Sequence, residues 1–264
     1  MASPTLVASI LTVVPAMGLI YYVLRRYEGY FEQNRLFFAL TVGLFAGLLA
    51  KFLEVQLFPF DDPRILQPDG RPLTVGTLVY SAAYTMAGFA MLAGLAMGAV
   101  LGFRKFRARK DTPYYGVSLG LAFGAMHTMP LFALSIRDHV DPAIRADAAA
   151  LATYLLVLAF ATGLIMVHGA AAVWVGRGSA AGRLWKGVVH GSLLLMPALG
   201  VTWLWLRDLD ADGAFRFVLA LASLGYGIFL TLVTQRKVLD AIVPPEIRDQ
   251  VRRERRRAAR RGGA

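Results

Sequence analysis

The chain has 264 residues, of which 57% are hydrophobic and 17% charged, and it contains no cysteine. A soluble domain of this length does not tolerate such an apolar balance on its surface, and the lack of cysteine excludes disulfides, thiolate metal sites, S-palmitoylation and cysteine nucleophiles. The net charge of +11 would suit a nucleic-acid binder, but the basic residues fall in particular connections rather than on one soluble face, so the charge reads as membrane topology and no nucleic acid is expected.

Apolar runs of the ~20 residues that cross a hydrocarbon core of roughly 30 Å predict membrane-spanning helices at 4–24, 36–58, 75–103, 115–136, 148–175, 184–206 and 215–233. The expected fold is therefore all-α: a multi-pass cell-membrane protein whose seven transmembrane helices, contacting lipid, form one domain over residues 1–235. No positive charge precedes the first run and Arg25 and Arg26 follow it, an arrangement that exports the N-terminus rather than marking a signal peptide.

Basic residues resist translocation while acidic ones matter little. Arg25, Arg26 and Arg35, then Arg104, Lys105, Arg107, Arg109 and Lys110, then Arg177, Arg183 and Lys186 fall in the odd-numbered connections. The even-numbered connections hold Asp61, Asp62 and Asp69, then Asp138, Asp141 and Asp147, then Asp208, Asp210 and Asp212. The division is 21 Lys or Arg on one side against 6 on the other, which sets the N-terminus outside and the C-terminus in the cytoplasm. Residues 236–264 carry Pro244, Pro245 and an arginine-rich run with too few apolar residues to pack. They read as a disordered basic tail that anchors topology near anionic lipid, or as a specific protein or nucleic-acid contact.

Ionisable groups inside hydrocarbon are expensive unless they meet partners or water, and five lie well inside the predicted spans, away from their ends: Lys51, Glu54, His127, His168 and His190. Lys51 and Glu54 stand one turn apart and are expected to form an ion pair along the second helix, with snorkelling as the alternative. Counted from Arg35, Glu54 lies roughly 28 Å up its helix at 1.5 Å per residue, near the outer face. The same rise puts His127, His168 and His190 roughly 10 to 18 Å above the cytoplasmic end, in one layer. Three imidazoles at one depth are candidate ligands for zinc, or else they hydrogen-bond between helices and hold the bundle together. His139 falls in an outward connection and reads as solvated. On this counting Glu54 is on the wrong side to serve as a general base, and Glu28 and Glu32 reach the layer only if the first connection folds inward.

Gly116, Gly120 and Gly124 leave one face of the fourth helix bare, and Gly94, Gly98 and Gly102 on the third helix and Gly43 and Gly47 on the second repeat the pattern. Such stripes admit another helix backbone, either within the bundle or from another membrane protein docking on the helix-four face.

From about residue 113 to 235 the chain resembles the superfamily that unites the PrsW proteases, the type II CAAX prenyl proteases and the anterior-pharynx-defective (Aph) subunit of γ-secretase. The glycine triplet resembles that of the Aph subunit, Phe123 and His127 resemble the second CAAX-protease motif, and His168 and His190 resemble the paired intramembrane histidines of the Aph subunit. The proteases carry an adjacent glutamate pair that this chain lacks, and a polar residue where it has Leu194. The resemblance thus implies a non-catalytic Aph-like scaffold or assembly subunit without a cofactor, partnering an intramembrane protease. Its alternative is a metal-dependent intramembrane peptidase with His127, His168 and His190 around zinc. A transporter is disfavoured, since no series of charges lines the helices.

Overall fold

The computed structural model describes residues 4–57, 75–139, 148–206 and 214–243. Every regular element within them is helical, as hydrocarbon requires of a backbone that must satisfy its own N–H and C=O groups. The helices are α1 (Pro4–Leu24), α2 (Gln33–Leu57), α3 (Val75–Leu101), α4 (Thr112–His139), α5 (Ala148–Ala180), α6 (Leu184–Leu206) and α7 (Ala214–Thr234). Six stretches are long and apolar enough to cross a membrane; α3 contributes a shorter apolar section, Met86–Leu101. The acidic connections predicted to face outward, and the tail from residue 244, lie outside the described residues, apart from Asp138 near the end of α4.

The basic tail begins later than residue 236. The chain continues past α7 as a π-helical turn, Gln235–Leu239, and stays helical to Ile242. Val238 and Leu239 are buried with Tyr27 and Tyr114, and Tyr27 donates to Asp240 at 2.7 Å, so apolar packing outweighs the local charge of Arg236 and Lys237.

The two central helices are α4 and α5, which pack along each other and carry the others: α1 and α2 lie against α4, α7 and α6 against α5, and α3 against α6. Large apolar side chains such as Phe45, Val14, Leu49 and Phe229 are exposed on the outer helices, a distribution that suits lipid and no aqueous surface.

The glycine stripes are used inside the bundle. A Cβ on Gly116 would fall 2.9 Å from the Ala172 carbonyl carbon, one on Gly120 would fall 2.5 Å from Ala172 Cβ, and one on Gly124 would fall 2.9 Å from His168 Cβ. Of the two occupants open to the helix-four glycine face, another membrane protein or a helix of the bundle, it is α5 of the same chain that lies against it. Gly43 and Gly47 seat α2 on Leu119, Ala122 and Phe123, while Gly94, Gly98 and Gly102 seat α3 on Ser192, Val188 and Leu184. Close backbone approach substitutes for the missing hydrophobic drive between helices in lipid.

The connection between α3 and α4 is tied at both ends. Ser179 at the end of α5 donates to the Leu101 carbonyl at 2.6 Å and accepts from the Ala108 N–H at 3.2 Å, with Ala108 held at φ +60. Arg109 pairs with Asp111 of the same connection at 3.1 Å and reaches Glu32 of the α1–α2 connection at 2.9 Å, and Glu32 also meets Arg35 at 2.6 Å. Glu32 is thus engaged at the surface rather than folded inward.

Candidate functional site

Where α2 crosses α4, the absence of side chains at Gly47 and Gly124 draws three helices close enough for their polar residues to meet. Gly47 lets α2 run against the backbone of Phe123, and Gly124 lets α5 bring His168 against α4. Lys51 and Glu54 follow Gly47 on α2 and point into this crossing. Phe123 and His127, one turn apart on α4, present stacked rings to it with centroids 5.4 Å apart.

The resulting cluster is interior: Lys51, Glu54, His127 and His168 are 4%, 1%, 2% and 1% exposed. Glu54 Oε2 accepts from Lys51 Nζ at 3.0 Å, and Glu54 Oε1 lies 2.5 Å from His127 Nε2. The His127 and His168 rings are 5.1 Å apart, and Phe123 lies 5.6 Å from His168. His168 Nδ1 sits 2.8 Å from the Leu164 carbonyl, an acceptor, so Nδ1 carries the proton and a neutral ring leaves a lone pair on Nε2. His168 Nε2 and His127 Nδ1 are buried without a hydrogen-bond partner. A narrow cavity, with room for about one water molecule, touches all four groups and is walled by residues that include Phe89, Thr202 and Trp203.

Two of the sequence expectations change here. Glu54 is not remote from the histidines: it bonds His127 directly. Contacts between α2 and α4 run from Leu36 with Ser118, through Gly47 with Phe123, to Glu54 with His127. The span from Leu36 to Glu54 is twice that from Ser118 to His127, so depths counted from each helix's own start do not correspond. The second change concerns the shared layer of three histidines. His190 is exposed, bonds the Lys186 carbonyl of its own helix at 2.7 Å and stacks on Trp174 at 6.0 Å. Equal depth says nothing about which way a side chain turns around its helix, and His190 turns away from the cluster that holds His127 and His168. The Lys51–Glu54 pair lies where one-turn spacing puts it, and Lys51 is buried rather than snorkelling.

Zinc does not fit this arrangement. His127 and Glu54 are in direct contact with no room for an ion between them, Lys51 places an ammonium on the other carboxylate oxygen, and His190 is elsewhere. Among the described residues no three His, Asp or Glu side chains are placed to hold a metal ion.

Without a metal the site can still move protons. A carboxylate bonded to an imidazole, an ammonium beside it and a second imidazole with a free lone pair form an acid–base set in a low-dielectric enclosure, where electrostatic interactions are strengthened. Comparison with protein-family models, curated proteins and solved structures finds no match for this chain.

Proposed function

We propose that this chain is an intramembrane hydrolase of the PrsW and CAAX-peptidase kind that works without a metal, with Glu54 and His127 activating a water molecule. The observation that carries the reading is the buried Glu54–His127 contact beside a cavity, because the carboxylate it supplies is the group whose apparent absence spoke for a non-catalytic chain. An intramembrane ionisable cluster of this kind is a functional site by default.

In the proposed reaction the water oxygen attacks a peptide carbonyl carbon. Glu54, oriented by His127, accepts the water proton, and the C–N bond breaks as that proton passes to the leaving amine. Lys51 places positive charge near the developing oxyanion, and His168 offers its Nε2 to the cavity. The substrate class is a membrane-embedded or lipid-anchored peptide, as the resemblance implies.

The second reading is the Aph-like scaffold, favoured by the mutual pairing of Lys51, Glu54 and His127, which suits a group of residues that only pins helices. It has lost the free glycine face and the core position of His190 on which the sequence-based version rested.

One experiment separates them. New peptide N-termini are catalogued by mass spectrometry in membranes expressing the wild type, Glu54→Gln, His168→Ala and His190→Ala. The hydrolase reading requires termini that disappear in Glu54→Gln, fall in His168→Ala and persist in His190→Ala. Identical catalogues from wild type and Glu54→Gln reject it in favour of the scaffold.

The proposal includes seven spans in the cell membrane, with α3 crossing and the N-terminus outside, supported by the 21-to-6 division of basic residues. Because the chain has no cysteine, single cysteines introduced in each connection and probed with an impermeant maleimide test this directly. Labelling of the Arg104–Lys110 connection from outside refutes the orientation.

A further inference from the structure

The buried cluster leaves two of its own nitrogens unmatched. Glu54 accepts from Lys51 at 3.0 Å and from His127 Nε2 at 2.5 Å. A carboxylate only accepts, so Nε2 carries the His127 proton and the neutral ring keeps a lone pair at Nδ1. His168 is in the same condition with its nitrogens exchanged: Nδ1 donates to the Leu164 carbonyl at 2.8 Å and Nε2 keeps the lone pair. The two rings lie 5.1 Å apart, and neither lone pair meets a protein donor. The hydroxyls on the cavity wall do not supply one, because Thr128 donates to the Gly124 carbonyl at 2.7 Å and Thr202 to the Ala198 carbonyl at 2.9 Å.

Two acceptors on rings that line one cavity call for a ligand that donates twice. Buried polar atoms without a protein partner are ordinarily satisfied by ordered water, and the cavity touching both rings has room for about one water molecule. Lys51 on the same wall disfavours ammonium or any other small cation, since like charges repel strongly in a low-dielectric interior. Water is the neutral molecule of that size that donates to two acceptors at once.

We infer that a single internal water is held between His127 Nδ1 and His168 Nε2, donating to both, and that it is the molecule which the Glu54–His127 pair activates. The second half of this inference rests on the hydrolase reading, and the first does not. In the attack the water oxygen bonds the peptide carbonyl carbon as a water O–H bond breaks. That proton arrives at His127 Nδ1 while the Nε2 proton passes to Glu54 Oε1, so the carboxylate acts as base through the imidazole. His168 is a positioning residue: the Leu164 carbonyl fixes its tautomer and with it the nitrogen that accepts from the water.

The test is a crystal structure of the full wild-type chain, grown from lipid, at a resolution that shows ordered water. One solvent peak should lie about 2.7–3.2 Å from both nitrogens, and Thr202→Leu, which extends methyl groups from the cavity wall, should remove it. A dry cavity in the wild type, or a peak within reach of only one ring, would overturn the inference. His168→Gln keeps an acceptor oxygen close to the place of Nε2 and should keep the water. His168→Leu keeps the bulk without the acceptor and should lose it, with cleavage on the order of a hundredfold below that of His168→Gln, the usual result of misplacing a reacting group by ~1 Å. Equal cleavage by these two variants would strike the activation step. The solvent peak is read without substrate, so its absence is distinct from failure of the hydrolase reading, which shows as identical peptide termini from wild type and Glu54→Gln.

Discussion

Removing Glu54 alone from the buried ion pair should cost more than removing both of its members. Lys51 and Glu54 meet at 3.0 Å with side chains 6% and 1% exposed, and Glu54 holds His127 through its other oxygen. Glu54→Leu takes the acceptor away from two polar partners at once and leaves an ammonium in the interior; breaking a buried pair in this way costs about 3–5 kcal/mol. Lys51→Met removes one charge-assisted hydrogen bond but leaves Glu54 bonded to His127, so its cost should be about 1.5–3 kcal/mol. The double variant buries neither charge. His127 loses its carboxylate partner, at about 1–3 kcal/mol, so Lys51→Met/Glu54→Leu should be more stable than Glu54→Leu alone. Unfolding by sodium dodecyl sulfate in mixed micelles, followed by tryptophan fluorescence with Trp203 in the cavity wall, measures all three. Costs of the single variants that simply add in the double, or a Glu54→Leu chain within about 0.5 kcal/mol of wild type, would refute the pairing.

Two further outcomes follow from the packing and the connections. Gly120→Ala forces a methyl group to within 2.5 Å of Ala172 Cβ and should destabilise by about 1–3 kcal/mol, whereas Gly225→Ala meets nothing within 4 Å and should stabilise α7 by up to about 1 kcal/mol; the same unfolding assay would reject the stripe's role if the two variants behaved alike. At the α3–α4 connection, burial pushes the Asp111 carboxyl up, but hydrogen bonds from Arg109 and the Tyr115 hydroxyl outweigh it and hold the group below the usual carboxylate range. Its contribution is therefore present above the unfolded value near 3.9 and is lost as pH falls through the lower folded value. The stability gap between wild type and Asp111→Asn should shrink on acidification from about pH 5, and thermal melts showing a gap independent of pH would remove this network from the account.

The helical architecture was legible because hydrocarbon imposes one requirement on every span: a long apolar run with its backbone internally bonded. The Lys51–Glu54 pair was legible for a similar reason, since three-residue spacing fixes neighbours on one helix face. Glu54 with His127 was not. Their meeting depends on how α2 crosses α4, a relation between helices that neither helix encodes alone. Gly47 and Gly124 were the available signal, because small residues mark where backbones touch and so where the next polar side chains will converge. His190 failed from the opposite direction: depth along α6 is set by sequence, but its azimuth is set by the packing of α6 on α3 and α5, which turns that residue outward.

The glycine stripes and the polar cluster are therefore one device rather than two. A Cβ on Gly47 would stand 3.0 Å from both Cα and the carbonyl carbon of Phe123, and this is backbone, which cannot rotate away as a side chain can. Accommodating it requires α2 to shift off α4. Glu54 lies about two turns beyond Gly47 on the same helix, so such a shift is carried to the carboxylate, whose 2.5 Å contact with His127 has little tolerance. Loss of geometry at a catalytic pair by as little as ~1 Å costs on the order of a hundredfold in rate. Gly47→Ala should accordingly impair any chemistry at Glu54 well beyond what its effect on stability accounts for, whereas a scaffold pinned by the same residues would lose only stability. A Gly47→Ala chain whose hydrolysis falls no further than its folded fraction would show that the crossing does not position the site.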